Sequence, residues 1–205
     1  MRMMNLTVAC FAAVLALSTS GALAADAQAP DERAAAMVAR LGGTVERDES
    51  AAARPITRVD LHGSRVTDAD LEDLASLPRL QFLDLRLTSI GDAGVAHLEN
   101  LTALESLNLF RTSTGDPGLA RLAKLRELQT LMLGGTRITD AGLASLKPLA
   151  RLKKMSLFQT SISDAGIPHL SALSSLETLL ITGSKISEEG ARQLQKALPR
   201  LRFGE

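Results

Sequence analysis

The sequence predicts an α/β solenoid, a curved array with parallel strands on its concave face and short helices on its convex face. Three observations carry this. The chain restarts the same frame every 24 residues, at Ile56, Leu80, Leu104, Leu128, Leu152 and Leu176, and then at Leu201 after one extra residue. Inside each frame the apolar spacing changes from two, as in Ser106-Leu107-Asn108-Leu109-Phe110, to three, as in Leu143, Leu146 and Leu149. The first is the period of a strand and the second that of a helix face. Finally, a unit this short cannot bury its apolar side alone, so neighbouring units must stack.

The elements follow in order. Arg2, the uncharged run Leu6–Leu17 and the small residues Ala22-Leu23-Ala24 read as a secretory signal over 1–24, cleaved after Ala24. The apolar run falls short of the roughly 20 residues that span a bilayer, so no membrane insertion is expected after cleavage. The expected location is periplasmic or extracellular. The single cysteine, Cys10, lies in this segment, which leaves the mature chain without a disulfide, thiol nucleophile or thiolate metal site. Residues 25–55 form a leader and a helix-strand cap. Asp31 starts an alanine-rich helix that Gly42-Gly43 ends, and Thr44–Arg47 makes a short strand. The first unit of a solenoid needs such a cover. Residues 56–200 are six repeats, and 201–205 begin a partial seventh strand. Its open edge could pair with a second copy.

Written out, the unit is L-x-x-L-x-L-x-x-T-x-I-[ST]-D-A-G-L-x-x-L-x-x-L-x-x, matched throughout by residues 128–151. Positions 1, 4, 6, 11, 16, 19 and 22 point inward. Position 9 holds Ser64, Thr88, Thr112, Thr136, Thr160 and Ser184, hydroxyls suited to bonding nearby backbone. Thr67-Asp68, Thr139-Asp140, Ser163-Asp164 and Ser187-Glu188 combine a capping hydroxyl with an acid in the first helical turn. Repeat 3 has Thr114 where others have isoleucine, and looser packing is expected there. Pro168 should make the helix of repeat 5 irregular.

The chemistry-bearing residues are few. Lysine and arginine total 23, as do aspartate and glutamate, and removing 1–24 takes away only Arg2, leaving 22 basic against 23 acidic residues. No basic excess or stripe is evident, and nucleic acid is not an expected partner. His97 and His169 lie three repeats apart, about 14 Å by strand spacing, and cannot share a metal. No metal, cofactor or catalytic motif emerges, and the repeated D-A-G reads as helix capping rather than a calcium loop. One carboxylate pair stands out. Asp60 and Asp84 occupy position 5 of adjacent strands, close enough to act together on a glycosidic bond. Arg58, His62 and Arg86 flank them, which favours a solvated charge cluster instead. The chain reads as a non-enzyme.

Positions 3, 5 and 7 face the concave side. The array is polar at its front, with Asp60, His62, Asp84 and Arg86, and partly apolar further on. Phe82, Phe110 and Phe158 are three of only five phenylalanines, in a chain without tryptophan or tyrosine. Phe110 and Phe158 share position 7 with Gly134 between them, a spacing of about 10 Å that suggests a notch floored by glycine. With Met132 and Leu180 they make an apolar patch that a partner could cover.

The repeat unit resembles the leucine-rich repeat family over residues 56–200. Its T-x-I-[ST]-D-A-G-L core is similar to that of exported bacterial members, and its length to the repeats of bacterial GALA effectors and eukaryotic F-box substrate receptors. No F-box is read in residues 25–55. The resemblance implies a scaffold that binds a protein partner through the concave face. Two other readings stay open: a self-associating solenoid without a distinct ligand, and a glycan binder or hydrolase centred on Asp60 and Asp84.

Overall fold

A computed structural model describes residues 30–204. The expected signal segment, most of the leader and Glu205 lie outside the described residues. The chain opens with helix α1 (Pro30–Arg40) and strand β1 (Thr44–Arg47). Seven parallel strands follow at the repeat interval: β2 (Ile56–Asp60), β3 (Phe82–Asp84), β4 (Ser106–Asn108), β5 (Thr130–Met132), β6 (Lys154–Ser156), β7 (Thr178–Leu180) and β8 (Arg202–Gly204). They form one sheet in sequence order, with β1 antiparallel to β2 at its front edge. Position 3 pairs with position 3 and position 5 with position 5 at every step, as Phe82 with Ser106 and Asp84 with Asn108. The register is therefore the repeat itself, because any slip would turn leucines to solvent.

The returning half of each unit is short and mixed. Repeat 1 uses a 3₁₀ turn at Ala69–Leu74, and repeats 2–5 use α2 (Asp92–Ala96), α3 (Asp116–Arg121), α4 (Asp140–Leu143) and α5 (Ile167–Ser171), three of them joined to 3₁₀ turns. Repeat 6 ends in the longest of these helices, α6 (Glu188–Ala197). The extra residue there moves the last inward leucine one place along, to the buried Leu198. Pro168 sits at the start of α5, behind a 3₁₀ turn at Asp164–Gly166. The inward positions build one continuous apolar core, from Ala34 and Val38 of α1 to Leu201.

Two expectations are corrected here. Repeat 3 is not loose: Thr114 is fully buried, and its hydroxyl lies 2.9 Å from that of Thr112, so a hydrogen-bonded pair fills the isoleucine site. The D-A-G aspartate, moreover, is not mainly a cap for its own helix. Asp116 and Asp140 each take the amide and hydroxyl of the following unit's Thr139 and Ser163, and Asp164 does the same with Ser187, at 2.6–2.8 Å. Asp68 accepts from Gly91 N–H, and Asp92 from Gly115 and Gly118. The motif is an inter-repeat ladder. Its glycine is required because a Cβ at Gly94, Gly118, Gly142, Gly166 or Gly190 would come within 3.0 Å of the preceding aspartate's carboxylate. The threonines at position 9 do bond locally: Thr88, Thr112, Thr136 and Thr160 each donate to the carbonyl three residues back, at 2.6–2.8 Å.

Candidate functional site

The concave face is built from side chains at positions 3, 5 and 7, which the parallel register lines up in rows. Position 5 has a local duty at the end of each strand. The carboxylates of Asp60 and Asp84 and the amide oxygen of Asn108 accept the backbone N–H two residues on, at His62, Arg86 and Phe110, at 2.9–3.1 Å. These Asx-type turns complete the hydrogen bonding of a chain leaving the sheet. At Met132 and Leu180 the same position carries an apolar side chain instead, and the face changes character.

The front of the face is a set of paired charges. Asp60 also lies 2.7 Å from His62 Nδ1, and Asp84 lies 3.4 Å from Arg86 Nε and accepts from the Asn108 amide at 3.4 Å. Burial works to raise the Asp60 pKa, but the His62 amide and ring hydrogen bonds, with the Arg86 charge, hold it below the ordinary aspartate value. That is the wrong direction for the raised-pKa acid of a glycosidase pair. Phe82 is covered: Arg58 stacks over its ring at 4.1 Å and is held from behind by Glu46 of β1 at 3.1 Å. Asp60, Phe82, Asp84 and Met132 share one shallow depression of about 150 Å³, smaller than the few hundred Å³ usual for small-molecule sites.

Further along, the notch expected over Gly134 is closed. The Phe110 and Phe158 ring centroids stand 6.1 Å apart, tilted by 38°, and a Cβ on Gly134 would meet both side chains at 2.9–3.0 Å. Without a side chain between them the rings lean together, as aromatic pairs prefer. The result is a raised apolar ridge, half-buried, in place of a slot. Met132 and Leu180 are half-buried on the strands to either side of β6. The structure thus separates the nine candidate residues into a charged depression at repeats 1–2, which Met132 borders, and an aromatic ridge over repeats 3–5 with Leu180 beyond.

The order of this architecture, strand inside and short helix outside at a constant interval, decides its fold type. The comparisons agree. Among solved structures the chain is similar to internalin C2 of Listeria monocytogenes, with a TM-score of 0.56 and 22% identity over 72% of this chain and 70% of that one. This is the leucine-rich-repeat fold. A second Listeria monocytogenes internalin matches at a TM-score of 0.53 with 19% identity, over 85% of this chain and 55% of that one. A leucine-rich-repeat protein of Leptospira interrogans matches at 0.52 with 17% identity, covering 65% of this chain and 33% of its own length. No protein-family model and no curated protein sequence matches the chain.

Within this leucine-rich-repeat frame, sequence reading missed position 8. Gly63, Leu87, Arg111, Gly135, Gln159 and Gly183 occupy it, all at φ between +51° and +74°. Glycine adopts this conformation freely, whereas other residues are strained there by about 1–2 kcal/mol. Leu87 is the exposed large apolar residue of the described chain, at 50% exposure. Reading the repeat by columns would have shown a glycine column interrupted three times.

Proposed function

We propose that this chain is an exported, non-catalytic scaffold that binds a protein partner through its concave strand face. One observation carries the reading: the Phe110–Phe158 ridge stands on the strand face among half-buried apolar residues, and no other strand or helix among the described residues packs over it. Rings held against each other lose little freedom on binding, which suits them as anchors. Phe82, stacked under Arg58, contributes a stiff edge, while Asp60, His62, Asp84 and Arg86 supply a polar end for orientation. Scaffolds of this fold present rigid strands, so a partner meets a surface that is already formed. The internalins and the Leptospira protein share the frame at 22% identity or less, and they support a scaffold in general rather than a particular partner.

The test is affinity capture from the host's envelope fraction with residues 25–205 as bait, beside a Phe110→Asp/Phe158→Asp variant checked for folding by circular dichroism. The expected result is a protein retained by the wild type and lost by the folded variant. Equal retention by both would reject the ridge as the site. A second reading, self-association, is favoured by the far end of the array, where Ile181, Ile186 and Phe203 stay only half-buried. It predicts a concentration-dependent dimer in sedimentation that disappears when 201–205 are removed.

A further inference from the structure

Stacked by columns, the turns that leave the strands form one lateral edge, and its charge is not balanced like that of the whole chain. Positions 7–12 of all six repeats contain no aspartate or glutamate, yet they carry Arg65, Arg86, Arg111, Arg137 and Lys185. All five are exposed. The expectation that no basic stripe exists is thereby corrected: total charge hides it, because the acids are placed elsewhere in the unit. Arg86 leans on Asp84, but Arg65, Arg111, Arg137 and Lys185 make no ion pair among the described residues. The acids next along, Asp68, Asp92, Asp116, Asp140 and Asp164, border this edge, and each is engaged by hydrogen bonds from the following repeat.

The edge is also rigid. Gly63, Leu87, Arg111, Gly135 and Gln159 each donate their N–H to the carbonyl of the next repeat's position 7, at 2.7–3.0 Å. Ser113, Arg137 and Lys185 donate in the opposite sense, to the carbonyl of the preceding repeat's position 11, at 2.7–2.8 Å. Leu87 stands in this basic edge, half exposed, in a left-handed conformation that Gly63, Gly135 and Gly183 of the same column adopt freely. On one side the Gly63 rung leaves open space, with nothing within 4 Å of a built Cβ. On the other, Arg111 is held between the Phe110 ring at 5.3 Å and Gly135. Strained backbone that keeps an apolar side chain in water points to a use for that side chain.

We infer that the turn edge of repeats 1–4 docks an acidic protein segment, whose apolar side chain settles beside Leu87 over the Gly63 rung while its carboxylates meet Arg65, Arg111 and Arg137. Three rungs span about 14 Å, the reach of four to five extended residues. Charge complementarity chooses an anion, and Leu87 chooses a peptide over a polysaccharide or nucleic acid, which would gain nothing from it. This surface meets the concave ridge at Arg111, which lies over the Phe110 ring at 5.3 Å, while Arg65, Leu87 and Arg137 lie outside the ridge.

The probe is a library of short random peptides displayed on phage and selected on residues 25–205. Enrichment of acidic sequences with a shared apolar position is expected. Synthetic versions should lose roughly tenfold or more in affinity on an Arg65→Glu/Arg111→Glu/Arg137→Glu variant. They should weaken several-fold on Leu87→Gly, whose melting temperature should be unchanged or higher, so that lost binding cannot be lost folding. Phe158→Asp should leave the peptides bound, which separates this edge from the concave reading. The inference is overturned if nothing is enriched, if the enriched peptides are not acidic, or if the charge-reversed variant retains them. It is equally overturned if heparin displaces them and Leu87→Gly has no effect, since the edge would then be a general polyanion surface.

Discussion

The two ends of the array solve the same problem differently. At the front, Leu61 and Val66 are only 1% exposed, because α1 and the antiparallel β1 lie over the first repeat. At the back, the residues at the same two positions, Ile181 and Ile186, stay half-buried, because among the described residues only β8 follows them as a further strand. The ladder tells the same story. Repeat 1 has no predecessor to cap its turn, and its glycine is replaced by Asp70, which itself accepts from the amide and hydroxyl of Thr67 at 2.9 and 2.6 Å and pairs with Arg40 of α1 at 2.7 Å. After repeat 6 the described residues add only β8, and the acid at its ladder position is Glu188. An end needs a substitute for the neighbour it lacks, and among the described residues the front has one.

Substitutions along the ladder sharpen that contrast. The largest effect is expected in the interior, where Gly142→Ala drives a methyl group into the Asp116 carboxylate. A loss of about 2–4 kcal/mol in urea unfolding is expected. Next comes Asp70→Gly, which restores the interior residue at the front. It should destabilise by about 1–2 kcal/mol, as cap removals do, and stability left unchanged would show that Asp70 does not replace a missing repeat.

The same residue should appear in the pH dependence. The Thr67 hydroxyl and amide hydrogen bonds, then the Arg40 charge, outweigh partial burial and lower the Asp70 pKa. A carboxylate with a depressed folded pKa contributes stability that is fully present above its unfolded value, near 4, and is lost as pH falls through the folded one. Wild type should therefore lose stability between about pH 5 and pH 2 more steeply than Asp70→Gly, as followed by thermal melts across that range. The smallest effect belongs to Glu188→Asp. It restores the ladder acid where the described residues show no following turn, and should fall within about 0.5 kcal/mol of wild type. A larger gain would mean that the back end holds a partner for that carboxylate.

Much of this was legible in the chain, and the misses share a cause. The strand rows, the inward leucines and the helix-strand unit ahead of the first repeat could be read locally, since Leu107, Leu109 and Leu119 declare their faces by spacing alone. Asp116 could not, because its partner Thr139 lies 23 residues away and is reached only when units stack. Phe110 and Phe158 were both marked as surface residues, yet ideal strand spacing kept them apart where Gly134 lets them touch. Of the candidate site, its membership came from periodicity and its shape did not.

The sequence by itself determined the period, the register and which side chains are withdrawn from water. Those follow from hydrophobic spacing, a property each 24-residue unit carries alone. The tertiary structure decided which repeat's carboxylate meets which turn, how the front of the array is covered, and that Arg65, Arg111, Arg137 and Lys185 stand without an ion pair among the described residues. Those depend on contacts between units, and stacking geometry, which no single unit encodes, sets which groups meet.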